Sequence, residues 1–241
     1  MNEVLVKDIK IQIENGKEFT FSIPAKKNIG CMVSGGADSA ILLYILARFI
    51  REERLGTRVY PITAELLRRP YNIRFASDVI DKVRKLTGFK FEQHLTFPIV
   101  NHRLNITDQM KADTMSAYSK LFSNAFRLFT IFDGITANPP TDKIEVTEVS
   151  LRPADRDDTE VVTQKETQKG LEVPFVRFDK RDIALLYKKM GILHELFPIT
   201  RSCEGEAYES DMFTLDCFGA RPKGDECWWC KEREYGFGDL I

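Results

Sequence analysis

"CMVSGGADSA", residues 31–40, halts an apolar run at Ser34, passes two glycines and opens the next segment with an acid and a hydroxyl. Upstream, "NIGCMV" (28–33) is short, apolar and bounded by Pro24 and two lysines, which predicts a buried strand. Downstream, "DSAILLYILARFIREERLG" puts Ile41, Leu42, Ile45, Leu46 and Phe49 on one helical face, with Gly56 as the stop. The stretch is therefore a strand-to-helix turn, the junction from which α/β folds are built. Such a turn binds anions, because the first helical N–H groups lack partners and the helix dipole adds partial positive charge. Gly35 and Gly36 let backbone approach a phosphate, Ala37 is small, and Ser34 and Ser39 add hydroxyls. A carboxylate beside phosphates is repulsive unless a cation lies between them. Asp38 is accordingly assigned to Mg²⁺, with helix capping as its alternative. The Gly-Lys-Ser/Thr ending of the Walker loop is absent, which weighs against ordinary γ-phosphoryl transfer.

The composition suits one sizeable α/β core: 241 residues, 43% hydrophobic and 29% charged. A formal net charge of −1 gives no global pull toward nucleic acid or an anionic membrane. The N-terminal "MNEVLVKDIK" carries acids and no long apolar run, and no stretch approaches a membrane span, so a cytoplasmic protein is expected.

Around the central turn, "IKIQIENGKEFTFSI" alternates apolar and polar residues about Asn15-Gly16 and predicts a β-hairpin with a type I′ turn, packed at the core's edge. "TRVYPITAEL" reads as a second strand ending near Ala64, "NIRFASDVIDKVRKLTG" as a helix, "KFEQHLTF" as a third strand, and residues 107–132 as a long helix running into the strand "TIFDG". In a doubly wound sheet ligands sit at the carboxyl ends of strands, so the Ala64 segment is a candidate wall of an adenine pocket. His94 and His102 receive no ligand role. Residues 139–170 are polar and aperiodic, predicting a long loop or substrate-side lid with a short strand near 144–149.

Ser34-Gly35-Gly36-Ala37-Asp38-Ser39 resembles the S-G-G-x-D-S signature of the PP-loop ATP pyrophosphatases. The resemblance implies an adenine nucleotide alpha hydrolase-like fold, with a doubly wound, mostly parallel sheet. It also implies an activity: the loop holds the pyrophosphate part of ATP while a substrate oxygen attacks the α-phosphate. Gly134 stands where that superfamily often places a Gly-rich segment against the nucleotide. "FVRFDKRDIALLYKKMGI" (175–192) resembles a second superfamily element, in which a lysine reaches the phosphates from the opposite side; Lys180, Asp182 and Ile183 fill its positions. A positioned cation there would stabilise the leaving pyrophosphate. The alternative for Lys180 is a solvated helix-start residue.

Four of the five cysteines, Cys203, Cys217, Cys227 and Cys230, crowd into the tail, the last two as C-x-x-C. Disulfides are disfavoured in the cytosol and four thiolates suit tetrahedral zinc, so a structural Zn²⁺ site is expected, with an iron–sulfur cluster or a redox C-x-x-C as alternatives. Cys31 reads as a small core residue. "TRSC" (200–203), Cys227-x-x-Cys230, Arg233 and Phe237 together resemble the close of the 7-cyano-7-deazaguanine synthases. That resemblance implies an ATP-dependent carbon–nitrogen ligase converting 7-carboxy-7-deazaguanine and ammonia to the nitrile, and residues 201–241 as the zinc-binding tail. It departs from the family at the wide Cys217–Cys227 spacing, at "ITAEL" and at "ANPPTDK".

The expected organisation is a hairpin over 1–27, the ATP-binding α/β domain over 28–200 and the tail over 201–241. The partners expected are a deazapurine and ammonia, no membrane and no nucleic acid, in a homodimer. Two alternatives stay beside the ligase: a sulfur-transfer enzyme, such as a tRNA thiolase or a phosphoadenylyl-sulfate reductase-like protein, and a non-catalytic nucleotide-binding zinc protein.

Overall fold

A computed structural model describes residues 5–66, 72–99, 108–140, 143–144, 170–201 and 228–241. The first two strands, β1 (Val6–Gln12) and β2 (Glu18–Pro24), pair antiparallel, and their alternation buries Ile9 and Ile11 from one and Phe19, Phe21 and Ile23 from the other. The turn between them is not type I′. Gly16 alone has positive φ, at 84°, and its N–H donates to Ile13 O at 3.0 Å while Ile13 N–H donates to Lys17 O at 3.0 Å. That is a three-residue loop closed by a glycine bulge. Asn15 stays out of the left-handed region, its side-chain oxygen accepting from Lys17 N–H at 3.1 Å and its amide donating to Asp182 Oδ1 at 2.7 Å.

The main sheet contains β3 (Asn28–Met32), β4 (Arg58–Leu66), β5 (Leu95–Ile99), β6 (Leu128–Phe132) and β7 (Leu171–Glu172), in the order β5-β4-β3-β6-β7. Every neighbouring pair is parallel. Helices α1 (Ala37–Glu52), α2 (Asn72–Thr87) and α4 (Lys180–Met190) share one core with the hairpin and with Ile29, Cys31, Val33 and Phe132. Helix α3 (Asp108–Phe126) packs Met115, Tyr118, Phe122 and Phe126 against a second cluster that includes Met32, Ile62, Phe97 and Ile131. These two clusters draw on alternate residues of the same strands, which is the doubly wound α/β arrangement. A short helix α5 (Leu193–Leu196), a 3₁₀ turn (Phe197–Ile199) and a C-terminal helix α6 (Trp228–Phe237) complete the described chain.

Boundaries shift where local chemistry overrides pattern. Helix α1 ends at Glu52, before Gly56, because Arg54 takes the left-handed position (φ 51°) and Leu55 N–H reaches back to Ile50 O at 3.0 Å. That closure satisfies the last carbonyls without glycine. The third strand begins at Leu95 and runs through Pro98, which an edge strand tolerates because the missing N–H faces no partner. The expected strand at 144–149 and most of the expected lid lie outside the described residues. Among those described, no helix is long and apolar enough to cross a membrane.

The sheet's order reverses between β3 and β6, the switch point beyond whose carboxyl ends open α/β sheets bind their ligands. The hairpin braces the elements that frame it: Phe19, fully buried, meets Phe175 and Phe178 with ring centroids 4.9 and 6.0 Å away, and Phe21 meets Phe132 at 5.9 Å. Phe19→Ala should therefore cost about 3 kcal/mol in urea unfolding, as expected for a large side chain removed from a core. A loss below about 1 kcal/mol would show that the hairpin does not share that core.

Candidate active site

The turn after β3 lies at this switch point. Gly36 is the N-cap of α1 in extended conformation and offers no side-chain acceptor to the helix start. Gly35 has φ +84°, and a Cβ there would lie 2.6 Å from Phe75 Cβ, so both its backbone shape and its closeness to α2 require glycine. Ser39 Oγ donates to Gly36 O at 3.1 Å and accepts from Ser34 N–H at 3.2 Å, with the two serine hydroxyls 3.2 Å apart. The loop is thus held in shape by its own hydroxyls. Gly134, just beyond β6, packs where a Cβ would lie 3.0 Å from Ser39 N and 3.1 Å from Asp38 C. Its sequence position brings it onto the helix start itself.

Opposite lies the first turn of α4. Asp179 caps that helix by accepting from Arg181 and Asp182 N–H, Asp182 reciprocates to Asp179 N–H, and Gly191 ends the helix at φ 71°. Lys180 is not a solvated helix-start residue: it is 2% exposed. Its Nζ donates to Asp38 Oδ2 at 2.5 Å and lies 3.5 Å from Glu232 Oε2. Asp38 makes no capping bond, and its Oδ1 is buried with no hydrogen-bond partner among the described residues. An orphaned carboxylate oxygen at the mouth of a helix N-terminus fits a metal ligand better than a cap. Tyr187 OH donates to Ala37 O at 2.8 Å, and burial together with the Asp38 charge pushes its pKa well up, keeping it a donor.

The tail closes over this turn. On α6, Gly236 packs so tightly on Lys180 that a Cβ would lie 2.6 Å from its carbonyl oxygen. Arg181 donates to Gly236 O at 3.1 Å, and Tyr235 OH donates to Asp179 Oδ2 at 3.1 Å. Arg233 stacks over Phe197 at 3.8 Å and donates to Thr200 Oγ1 at 2.8 Å, while Phe237 stacks on Phe197 at 3.8 Å. The next residue, Arg201, donates its backbone N–H to Gly35 O at 2.8 Å, so the "TRSC" segment starts in contact with the glycine loop.

The structure brings together Ser34, Gly35, Gly36, Ala37, Asp38, Ser39, Gly134 and Lys180. Ala64 is on the other face: it packs against the cluster of Met32 and Ile62 on the α3 side, and it is its neighbour Thr63 that bonds to the chain entering the loop, donating to Val33 O at 2.7 Å. Cys203, Cys217 and Cys227 lie outside the described residues. Cys230 is 2% exposed on α6, and no group of three or more metal-ligating side chains is placed together among the described residues. Cys31 is fully buried and its thiol pKa is raised by burial and by Asp133, which suits a core residue. Glu232 and the Arg201 N–H did not stand out in the sequence. Glu232 could have been found from its spacing, since Glu232 and Gly236 are four apart and share one face of a helix.

No protein-family model matches the chain, and no curated protein matches it. Among solved structures it is similar to the U34-tRNA thiolase NcsA from Methanococcus maripaludis with its 4Fe–4S cluster, at a TM-score of 0.47 and 10% identity, over 69% of this chain and 57% of that one. The chain thus spans under two thirds of that protein's length.

Thr63 Oγ1 also lies 2.7 Å from His94 Nε2. With the hydroxyl donating to Val33 O, His94 is the donor, and burial lowers its pKa from the ordinary 6.5. A depressed histidine pKa favours folding above the unfolded value. The contribution should be complete above about pH 6.5, decline as pH falls below it and vanish below the folded pKa. Urea unfolding across pH 7.5 to 5 should show this slope in the parent and lose it in His94→Asn; equal slopes would mean that His94 titrates as in the unfolded chain.

Proposed function

We propose that the protein is an ATP-using enzyme of the PP-loop type, in which a substrate oxygen attacks the α-phosphorus and the bond to pyrophosphate breaks. The observation that carries this reading is the meeting of Asp38 and Lys180 at the start of α1, with one oxygen of Asp38 left over. Gly35, Gly36 and the α1 N–H groups would cradle the β- and γ-phosphates, and Ser34 and Ser39 would turn their hydroxyls from each other to the nucleotide. Asp38 would hold Mg²⁺, which when bound supplies charge neutralisation at the phosphates. Lys180, approaching from the other side, would stabilise charge on the departing pyrophosphate. Thr63, whose hydroxyl donates to Val33 O beside the glycine loop, would border the adenine.

For the acceptor we propose the carboxylate of a deazapurine, 7-carboxy-7-deazaguanine: ammonia displaces AMP from the activated carboxylate to give the amide, and a second adenylylation, on the amide oxygen, lets that oxygen leave as AMP with loss of the two amide protons to give the nitrile. Its support is the tail pattern of Cys203, Cys227-x-x-Cys230, Arg233 and Phe237, of which Arg233 and Phe237 anchor α6 on the Phe197–Thr200 turn. Cys203, Cys217, Cys227 and Cys230 would hold one structural zinc, four thiolates filling the tetrahedron. The second reading is sulfur transfer to an adenylylated substrate, for which the same cysteines would hold iron and sulfide instead.

Incubation with ATP, Mg²⁺ and acceptor should yield AMP and pyrophosphate, whereas ADP and phosphate would overturn the assignment. Lys180→Ala should slow turnover by about 10²-fold or more, the scale of a lost electrostatic stabiliser. Asp38→Asn should keep the fold and lose Mg²⁺-dependent turnover; full activity would remove Asp38 from the site. Metal analysis decides between the two tail chemistries. Stoichiometric zinc that disappears in the Cys227→Ser, Cys230→Ser double variant supports the ligase, and iron with acid-labile sulfide supports sulfur transfer.

A further inference from the structure

We infer that Glu232 is a positioning residue for Lys180: it is the second anion that keeps the buried ammonium paired when Asp38 turns from Lys180 toward a cation. This rests on the ATP reading above. Lys180 and Glu232 have side chains only 3% and 1% exposed, and their charged atoms lie 3.5 Å apart; Asp38 is 19% exposed and 2.5 Å from the same Nζ. The two carboxylates differ in kind. Asp38 follows the glycine loop in the first turn of α1 and has a buried, unbonded Oδ1, whereas Glu232 is enclosed on α6, its side chain 1% exposed.

One carboxylate cannot serve a divalent cation and remain the sole partner of an ammonium without weakening one of them. Breaking a buried pair by removing one partner is strongly destabilising, because the charge left behind has lost its water and gained nothing. With Glu232 in place, Asp38 can reorient while Lys180 keeps a counter-charge from the protein. The lysine stem is also held: α6 packs Gly236 against its backbone, and Arg181 next door donates to Gly236 O at 3.1 Å. Glu232 therefore sets where the ammonium sits, and the tail helix, through it, sets the geometry of the phosphate clamp.

The test has two readouts. The first needs no ligand: melting temperatures of Asp38→Asn, Glu232→Gln and the double variant. Each single variant leaves Lys180 one carboxylate, and the double leaves none, so the double should lose more than the sum of the singles, or fail to fold while both singles fold. Additive losses would overturn the shared pairing. The second is the rise in melting temperature with ATP as MgCl₂ is titrated. In Glu232→Gln the Mg²⁺ concentration giving half the rise should increase by about 10-fold, a coupling typical between linked sites, and Glu232→Asp should recover part of it. An unchanged Mg²⁺ dependence in Glu232→Gln, with a normal rise in the parent, overturns the role of Glu232 alone. No rise in the parent at any Mg²⁺ concentration overturns the ATP reading and the exchange with it.

Discussion

The ion pair between Lys180 and Asp38 is the contact on which the site's arrangement turns. A lysine ammonium removed from water is costly unless it is paired, and that cost constrains everything that buries it. Lys180 opens α4, Asp38 sits in the first turn of α1, and Glu232 comes from α6. Three helices distant in the chain are therefore bound by one charge balance at one end of the sheet. Because the strand order reverses between the paired strands β3 and β6, the carboxylate and the ammonium meet at the switch point where doubly wound folds bind ligands.

Both ends of the chain act on the same helix turn. The hairpin tip approaches α4 from one side, where Asn15 and Lys17 donate to Asp182 at 2.7 and 2.6 Å. Helix α6 approaches from the other, with Tyr235 on Asp179 and Gly236 on Lys180. Asp182 is buried, so its bonds to Asn15 and Lys17 do more than a surface pair would; the half-exposed Lys17 is the weaker contributor through screening. Segments that look peripheral in the sequence thus stiffen the element that presents Lys180. Arg201 adds a third tie, joining the start of the tail to the glycine loop through backbone alone.

The order of elements from β1 to β6, the glycine loop and the helix start at Lys180 were legible in the sequence because each follows from near neighbours, whereas β7, α5 and α6 carried no such signal. A strand is signalled by a short apolar run, an anion loop by glycines between that run and a helix, and the stop of α4 by Gly191, which takes the left-handed conformation that glycine adopts without penalty. The loop of the hairpin was misread in type because Asn15-Gly16 permits several turns. The choice fell to Asn15's reach for Asp182, a residue 167 positions away.

The sequence by itself determined the chemistry available: a glycine turn at a helix start, an acid in it, a lysine at another helix start and four cysteines in the tail. It could not determine that the acid and the lysine meet, that Glu232 comes within 3.5 Å of the same ammonium, or that Thr63 rather than Ala64 bonds to Val33. Those facts depend on which faces of distant helices and strands pack together, and a helical face is fixed by period while its partner is fixed by the whole core. Only tertiary structure decides that Lys180, separated from Asp38 by 142 positions, lies 2.5 Å from it, because burying an ammonium is tolerable only where the fold brings anions to it.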